Sequence, residues 1–430
     1  MNQGLSNLEW FEKTKQYGSK PGLGPIRQLL YTMGNPQDSF DSIQVTGTNG
    51  KGSTTAITAS ILDAAGYNVG MFTSPHLSRV TESIRVNGEE ISGKTMERCL
   101  GEIKNKIASL TKQGTRHPTY FEILVALAYK YFQEENVQVA VIEVGMGGKL
   151  DATNVINNKV SIVTNISLEH TQWLGETLEE IAENKVGILR PRSVLITAET
   201  KPRIVSLLQK KAVETQSKFI QIDNDYLVTL ETSTLEGQVF TLKTHKRLMK
   251  NLTIPLLGLH QLRNAICAIA AVESLETEYE LTQEDIREGL TTVSWPGRFE
   301  IMEKDPPIIL DGAKDAEAVE ALVDTVKKFY PKKEIITILG ISSDKAHDEM
   351  IKNLAEITHQ FIITEHRIKN RTTRAKDLEK FASTTGIPTR IIKPINLAIE
   401  YAKENSTQDQ LILVTGSVFL IGEAREYWVS

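Results

Sequence analysis

Apolar runs and stretches of helical periodicity alternate along most of the chain. In the first half, apolar runs lie at 43–46, 68–73, 139–144 and 160–165, and helical periodicity covers 56–65, 121–132 and 178–189. Before them, residues 5–35 look helical on both sides of a loop at 18–25. Short apolar runs separated by amphipathic segments are typical of a parallel sheet covered by helices. We therefore predict an α/β domain.

The pattern changes twice further along the chain. Residues 219–255 carry short alternating runs with Gly237 at a turn, which predicts an antiparallel insertion. A helix is predicted at 257–276, and Thr282 with Asp285 has the spacing of a capping box. After a composition shift at 293–297, the later segments are 308–310, 316–329, 335–339, 361–364 and 411–415. They alternate between strand and helix, so we predict domains of 1–294 and 295–430 that close across a hinge.

A glycine-rich loop joins the first apolar run to the helix after it. The segment Val45-Thr-Gly-Thr-Asn-Gly-Lys-Gly-Ser53 contains three glycines, a lysine and hydroxyl residues. Glycines let backbone N–H groups turn toward an anion, the helix start adds a partial positive charge, and Lys51 adds a full one. Against the usual Walker pattern, Val45 replaces the first glycine and Gly52 replaces the hydroxyl residue after lysine. The loop predicts a nucleotide-phosphate site, and the alternative is a glycine turn without a ligand.

Polar residues lie at or after the ends of three of the predicted strands: Ser74, Glu143 and His170. Ligands gather at the carboxyl ends of parallel strands, so we expect these residues near Lys51. A carboxylate inside an apolar strand is costly to bury without a cation, which makes Glu143 a candidate magnesium ligand. The alternatives are a buried ion pair for Glu143, a Ser-Pro turn for Ser74 and a loop role for His170.

Length, charge and cysteine content narrow the class of protein. A chain of 430 residues is too long for one core and predicts two to three domains. The net charge of −5 argues against a general nucleic-acid or membrane-surface binder. Cys99 and Cys267 lie far apart in apolar surroundings, so neither a disulfide framework nor a cysteine metal site is expected. Without an apolar segment of about 20 residues or a signal-peptide core, we predict a cytoplasmic protein.

Besides the glycine-rich loop, the chain contains ten further short motifs. They are Thr73-Ser-Pro-His-Leu77, Tyr120-Phe-Glu122, Val141-Ile-Glu-Val-Gly-Met-Gly-Gly148, Asp151-Ala-Thr-Asn154, His170, Lys185-Val-Gly-Ile188, His260-Gln with Asn264, Trp295-Pro-Gly-Arg298, Asp311-Gly-Ala313 and Val414-Thr-Gly-Ser417. Together with the glycine-rich loop they resemble the folylpolyglutamate synthase and dihydrofolate synthase family, relatives of the Mur ligases. The motifs are collinear and cover nearly the whole chain, which makes their order more specific than any one of them.

The resemblance implies an ATP- and Mg²⁺-dependent amide ligase. Its fold would be a P-loop Mur-ligase-like ATPase domain with a small antiparallel insertion, followed by a Rossmann-like α/β domain. ATP would phosphorylate a carboxylate of a folate or a dihydropteroate, and the amine of L-glutamate would attack the acyl phosphate. Such chemistry needs charge neutralisation and alignment more than a nucleophilic side chain. The family also implies a monomer, and the choice between folate and dihydropteroate stays open.

The resemblance carries roles over to individual residues. The phosphates would be cradled by Asn49, Gly50, Lys51, Gly52 and Ser53, and the nucleotide also contacted by Asn264, Arg298 and Asp311. Magnesium would be held by Ser74, Glu143 and His170, and the pterin substrate by Leu23, Arg27, Phe121 and Asp151. Phe121 as a core residue is the equal alternative. The catalytic residues implied are Lys51, His170 and Lys185.

Lys185 has a special role in this resemblance, because the matching lysine of the family is carbamylated. An unmodified ammonium would repel the metal, whereas a CO₂ adduct would provide a carboxylate-like ligand. The alternative from the residues alone is an i,i−4 ion pair with the acids around Ile181.

The chain also departs from the family pattern. The family's Asp-Gly-Ala-His-Asn motif is here Asp311-Gly-Ala-Lys-Asp315, so a cation and an anion replace an imidazole and an amide. Ser83 and Lys149 stand where the family has arginines, and Glu169 replaces the aspartate before His170. Two alternatives therefore stay open: a paralogue that joins another amino acid or acid, and an ATP-binding protein without catalysis.

Overall fold

The computed structural model describes residues 6–18 and 20–429, which contain an eight-stranded, a three-stranded and a six-stranded sheet. The three sheets follow one another along the chain, at 41–221, 227–254 and 300–415. The predicted α/β fold with an antiparallel insertion and a second α/β unit is confirmed. The proposed domain boundary between residues 294 and 295 falls in the connection between the second and third sheets.

The eight-stranded sheet positions the glycine-rich loop. Its strands are β1 (Asp41–Thr46), β2 (Val69–Phe72), β3 (Ile84–Val86), β4 (Glu89–Glu90), β5 (Val139–Glu143), β6 (Val160–Val163), β7 (Val194–Thr197) and β8 (Lys218–Gln221), in the spatial order β4-β3-β2-β5-β1-β6-β7-β8. All pairs are parallel except those of β3 with β2 and β4. Because β1 lies between β5 and β6, the loop after β1 opens where the chain order diverges to either side, the usual ligand crevice of such sheets.

Helices cover both faces of this sheet. They are α1 (Asn7–Lys13), α2 (Gly24–Thr32), α3 (Lys51–Ala64), α4 (Gly93–Lys112), α5 (Tyr120–Glu134), α6 (Thr171–Leu174), α7 (Leu178–Lys185), α8 (Pro202–Glu214), α9 (Ile222–Asp225), α10 (Leu259–Ser274) and α11 (Gln283–Thr292). Short 3₁₀ turns lie at Thr14–Tyr17, Pro36–Asp38, Val80–Ser83 and Val186–Ile188. The predicted capping box at α11 is confirmed, since Thr282 and Asp285 exchange side-chain and backbone hydrogen bonds.

Helix α3 is buried on nearly all sides, because it packs on the sheet and between α10 and α11. A helix that is enclosed in this way belongs to the core. The glycine-rich loop at its start is therefore attached to a helix buried in the core of the first domain. On the other face of the sheet, α2, α4 and α5 form a second core around Phe72 and Ile142.

The antiparallel sheet consists of β9 (Leu227–Thr234), β10 (Gly237–Lys243) and β11 (Leu248–Ile254). The prediction of an insertion from residue 219 was wrong at its start, because residues 219–221 belong to β8, which pairs in parallel with β7. An edge strand exposed on one side has the same alternation as a hairpin strand, so periodicity alone cannot separate the two.

The second domain contains a mainly parallel sheet of its own. Its strands are β12 (Glu300–Lys304), β13 (Pro307–Leu310), β14 (Glu334–Leu339), β15 (Thr358–Ile363), β16 (Thr389–Ile391) and β17 (Gln410–Thr415), in the order β12-β13-β17-β14-β15-β16. Its helices are α12 (Ala316–Phe329), α13 (His347–Ala355), α14 (Ala375–Ser383), α15 (Ile395–Asn405) and α16 (Val418–Arg425). Only β12 runs antiparallel to its neighbour.

Cys99 and Cys267 are buried free thiols, as the sequence predicts. Among the helices that the structure describes, none is both long and apolar enough to cross a membrane.

Candidate active site

The glycine-rich loop between β1 and α3 has a fixed conformation. Gly47 (φ 144°) and Gly50 (φ 78°) adopt backbone angles that favour glycine. A Cβ atom at either position would overlap a side chain of the first domain, Thr164 beside Gly47 and Asn264 beside Gly50. The loop is also tied down at Asn49, whose N–H donates to Asn165 Oδ1 (2.8 Å). Its shape is thus set before any ligand arrives.

Two lysines converge on one carbonyl group of this loop. Lys51 Nζ donates to the carbonyl oxygens of Gly47 and Thr48, both at 3.0 Å. Lys185 Nζ donates to the same Gly47 oxygen (2.7 Å) and to Glu169 Oε1 (2.8 Å). The structure therefore brings the two predicted catalytic lysines together, and the alternative of an ion pair between Lys185 and the acids around Ile181 is wrong.

Burial controls the titration of the Lys185–Glu169 pair. It lowers the pKa of Lys185 to about 8, with Glu169 opposing the shift and Lys51 adding to it. Burial also acts to raise the pKa of Glu169, but the cations Lys185, Lys51 and Lys314 outweigh it and hold this pKa below its usual range. Both partners are charged at pH 7, and they form an ion pair under the phosphate loop.

Glu143 and Ser74 meet at the ends of β5 and β2. Glu143 lies beside Val45 in the sheet register, and its Oε2 accepts a hydrogen bond from the Ser74 N–H (3.0 Å). Burial raises the pKa of Glu143, and nearby Lys51 opposes the shift. The residues described here include no carboxylate-cation contact within 4.0 Å at Glu143, so the ion-pair alternative is not formed. A carboxylate beside a serine offers the hard oxygen donors that Mg²⁺ prefers.

His170 lies at the start of α6 in a left-handed conformation (φ 48°). Its Nδ1 is 4.0 Å from Asp344 Oδ2 of the second domain. Burial lowers the pKa of His170 to about 4, so the imidazole is neutral at pH 7, the form that binds metals. In the part of the chain that the structure describes, no three His, Cys, Asp or Glu residues form a ready metal cluster. Only two of the three predicted metal ligands, Glu143 and His170, are of these residue types, so the set with Ser74 stays a prediction.

Of the three further residues predicted to contact the nucleotide, Asn264 of α10 faces the loop, and Arg298 and Asp311 lie at the start of the second domain. The buried Asp311 carboxylate accepts hydrogen bonds from the N–H groups of Phe299 (2.8 Å) and Ala313 (2.9 Å), which ties two loops together. Burial raises the pKa of Asp311, against the effect of nearby Arg298. Asn264 donates to Gln261 Oε1 (3.0 Å) and faces Gly50.

The second domain contacts the phosphate loop directly at the start of α12. Asn49 Nδ2 donates to Asp315 Oδ1 (3.1 Å), and the same carboxylate oxygen accepts the N–H of Ala318 (2.9 Å) as a helix cap. Two residues further on, Glu317 accepts a hydrogen bond from the Ser167 hydroxyl of the first domain. The site is therefore formed by both domains.

The four residues predicted for the pterin substrate divide into two groups. Phe121 and Asp151 lie at the loop that follows Glu143: the Phe121 ring packs on Gly145, and Asp151 accepts hydrogen bonds from Met146 N (2.9 Å) and Thr153 Oγ1 (2.6 Å). Leu23 caps α2 and packs on the core. Arg27 lines a cavity of about 740 Å³ between the ends of α2 and α4, whose lining does not include Lys51 or Phe121. In this structure the Asp151 carboxylate holds the loop together through these hydrogen bonds.

Three residues contribute to the site although the sequence did not predict their contacts. Asn165 ends the predicted strand at 160–165, a position comparable to those of Ser74 and Glu143, and this position is the signal that the sequence offers. Asp344 follows β14 in the second domain and had no local signal for its approach to His170. Trp295 was assigned to a motif, but its contact with Gly52 and its buried, unpartnered Nε1 depend on the folded chain.

Gly52→Ala is expected to lower the free energy of unfolding by about 1–3 kcal/mol, because its Cβ would lie 2.7 Å from the Trp295 ring. Gly93→Ala in α4 is the matched control, since no atom lies within 4 Å of its added Cβ. We expect that control to be neutral or slightly stabilising. Urea unfolding of both variants tests this, and equal stability of the two would contradict the Trp295 contact.

Known proteins resemble this chain in sequence over nearly its whole length. The chain matches the family descriptions Mur ligase middle domain, over residues 45–272, and Mur ligase glutamate ligase domain, over residues 297–418. It is 33% identical over 420 residues to dihydrofolate synthase/folylpolyglutamate synthase of Bacillus subtilis, with 97% of each chain covered. This chain belongs to the dihydrofolate synthase/folylpolyglutamate synthase family. The family predicted from the order of the motifs is therefore confirmed.

Solved structures of dihydrofolate synthase/folylpolyglutamate synthase relatives agree over the full length. Mycobacterium tuberculosis folylpolyglutamate synthase, complexed with ADP and AMPPCP, superposes with a TM-score of 0.92 at 30% identity, covering 99% of this chain and 98% of that one. Escherichia coli FolC in complex with DHPP and ADP gives 0.88 at 27% identity, with 99% and 98% covered. The chain is a Mur-type, ATP-dependent ligase, as predicted.

Proposed function

We propose that this enzyme joins L-glutamate to a carboxylate of a folate, with ATP as the second substrate. The observation that carries the proposal is the position of Lys51, Glu143 and the Lys185–Glu169 pair around one phosphate loop that both domains contact. The γ-phosphoryl group of ATP passes to the folate carboxylate and ADP leaves. The amine of glutamate then attacks the acyl carbon, releasing phosphate and a proton.

The residues of the phosphate loop have distinct parts in this proposal. The loop from Asn49 to Ser53 and the start of α3 cradle the phosphates, with the backbone N–H groups of 50–53 as donors because that of Asn49 already donates to Asn165, and Lys51 adds its charge. Asn264, Arg298 and Asp311 surround the nucleotide from the linker side. The donor set of Glu143 and Ser74 fits Mg²⁺, and the neutral imidazole of His170 is proposed as its third ligand. Bound Mg²⁺ would neutralise charge on the transferred phosphoryl group.

We assign the pterin end of the substrate to Phe121 and Asp151 at the loop after Glu143, together with Leu23 and Arg27 of the α2 region. The half-buried ring of Phe121, packed on Gly145 after Glu143, supports the assignment because an aromatic face can stack on a pterin. We further propose a monomer in the cytoplasm that needs no nucleic acid or membrane.

Lys185 is proposed to carry a carbamate in the active enzyme. Its pKa near 8 leaves about half of the amine uncharged at pH 8, the form that reacts with CO₂. The adduct requires the present ion pair with Glu169 to open, because both partners of Nζ are acceptors. With ¹³C-bicarbonate we expect a carbamate ¹³C resonance from the wild-type protein that is absent from Lys185→Met. Equal spectra of the two proteins would mean that Lys185 works as an ammonium paired with Glu169.

The test of the proposed function is ADP release with ATP, Mg²⁺ and L-glutamate, with dihydropteroate in one reaction and tetrahydrofolate in another. We expect release with the reduced folate, and release with dihydropteroate would add dihydrofolate synthase activity. Omitting glutamate and replacing Mg²⁺ by EDTA are the controls, and both should remove turnover.

The Lys314–Asp315 departure supports a second candidate, a ligase for another amino acid or acid on the same scaffold. Turnover with a different amino acid and none with glutamate would favour it. ATP binding without ADP release under every condition would instead indicate a protein that has lost catalysis.

A further inference from the structure

The loop after β6 is hydrogen-bonded to the phosphate loop along most of its length. Thr164 Oγ1 donates to the Asn49 carbonyl oxygen (2.6 Å), and the Asn49 N–H donates to Asn165 Oδ1 (2.8 Å). The Thr48 N–H donates to the Asn165 carbonyl oxygen (3.0 Å), and the Ser167 N–H donates to Thr48 Oγ1 (3.0 Å). The two loops therefore form one hydrogen-bonded unit.

Glu317 of the second domain contacts this unit with both oxygens of its carboxylate. Its Oε2 accepts a hydrogen bond from the Ser167 hydroxyl, and its Oε1 accepts a longer one from Asn165 Nδ2 (3.4 Å). The Asn165 amide presents its NH₂ group to Glu317 because its oxygen is held by the Asn49 N–H. Each oxygen of the carboxylate thus has a donor in the first domain, and hydrogen bonds to a charged acceptor are stronger than neutral ones.

Helix α12 does not need this contact for its own structure. Its N-terminus is already capped by Asp315, whose Oδ1 accepts the Ala318 N–H (2.9 Å), so Glu317 is free to reach across. The same Asp315 oxygen accepts a hydrogen bond from Asn49 Nδ2 (3.1 Å). The first turn of α12 therefore contacts the unit of the two loops at two separate points.

The exposure of Glu317 limits what the contact adds to the stability of either domain. An equilibrium between open and closed arrangements of two linked domains responds differently, because a small free energy changes the populations several-fold. A contact that exists only when the domains meet acts on that equilibrium alone.

We propose that Glu317 is a positioning residue that holds the second domain against the phosphate loop in the closed enzyme. It binds no substrate and acts through Asn165 and Ser167. Through this contact the second domain, with Arg298 and Asp311, stays next to the loop at which the phosphates bind. This inference rests on the proposed function, since it concerns closure of the same site.

The first test measures kcat and KM for ATP in the ADP-release assay. Glu317→Ala loses both hydrogen bonds, so we expect its KM to rise roughly 3–10-fold. Its kcat should stay within about 2-fold of wild type, because saturating ATP closes the domains again. Glu317→Gln should lie between the two, since its NH₂ group would face a donor. The control is Glu320→Ala, which removes an exposed acid from the same helix and should equal wild type.

A loss of kcat in Glu317→Ala with unchanged KM would mean that this residue acts in the chemistry, and it would overturn the proposal. An equal rise of KM in Glu320→Ala would do the same, because any acid of this helix would then have the effect.

A double-mutant cycle with Ser167→Ala tests the contact itself. This change removes the hydroxyl donor and leaves the N–H that binds Thr48. We expect KM for ATP to rise about 2–5-fold in Ser167→Ala. The double variant with Glu317→Ala should have the KM of Glu317→Ala alone, since the partner is already lost. A KM equal to the product of the two single effects would show independent action and contradict the contact.

Small-angle X-ray scattering measures closure without turnover, so it separates this inference from the proposed function. Without nucleotide, Glu317→Ala should have a larger radius of gyration than wild type, and a non-hydrolysable ATP analogue should make the two equal. Equal radii without nucleotide would overturn the role of Glu317 alone, whatever the enzyme joins. The expected scattering in an enzyme that joins no glutamate to folate would support that role and overturn the proposed function.

Discussion

Lys51→Met is expected to lower kcat/KM for ATP by roughly 10²–10³-fold, since the transferred phosphoryl group loses a fixed positive charge in a partly enclosed site. The ammonium of Lys51 is already directed at the loop by two carbonyl oxygens of that loop, so little reorganisation is needed on binding. Steady-state ADP release at varied ATP measures the effect, and the fold should be retained.

The matched control is Lys94→Met, which removes an exposed lysine from the first turn of α4. Its rates should equal those of wild type. If Lys51→Met lost less than about 10-fold, the loop amides alone would bind the phosphates, and the proposed role of Lys51 would be wrong.

Glu143→Gln is expected to reduce turnover on the order of 10²-fold and to raise the Mg²⁺ concentration for half-maximal rate. The amide keeps the size of the side chain and can still accept the Ser74 N–H, but it loses the charge that a cation requires. Stability should not fall, because a buried charge without an ion-pair partner is removed. Mg²⁺ titrations of ADP release, with urea unfolding alongside, test both statements.

Glu199→Gln provides the comparison, because Glu199 is another buried carboxylate that follows a parallel strand. It accepts the N–H groups of Ile166 (2.7 Å) and Lys201 (2.8 Å) and so holds two loops. We expect lower stability and an unchanged Mg²⁺ requirement. An Mg²⁺ response in Glu199→Gln equal to that in Glu143→Gln would mean that both act only through the fold.

The sequence predicts the parts of the site that depend on strand order and short-range pattern. Glycines beside Lys51 fix the loop because only they adopt its angles, and Glu143 and Ser74 meet because carboxyl ends of parallel strands share an edge. The same reasoning would place Asn165, which ends another parallel strand, next to the loop. These features follow from local periodicity, so they can be found without a structure.

Other features depend on contacts between distant segments, and the sequence does not predict them. The partner of Lys185 is Glu169 across a turn rather than an acid on its own helix, because the buried ammonium faces the phosphate loop. Whether residues 219–221 belong to the main sheet or to the insertion depends on which strand they pair with. Arg27 faces a cavity away from Lys51, which helix periodicity alone cannot indicate.

The hydrogen bond between Asn49 and Asp315 joins residues 266 positions apart, one in each domain. Because of this bond, neither domain can be replaced by that of a relative without changing the contact between them. In the family pattern the second residue is an amide, whereas here it is a carboxylate. A chimaera that combined this phosphate loop with the second domain of a relative would exchange a charged acceptor for a neutral one and lose the adjacent lysine. Exchanging one half alone would therefore change the charge at the contact between the phosphate loop and the second domain.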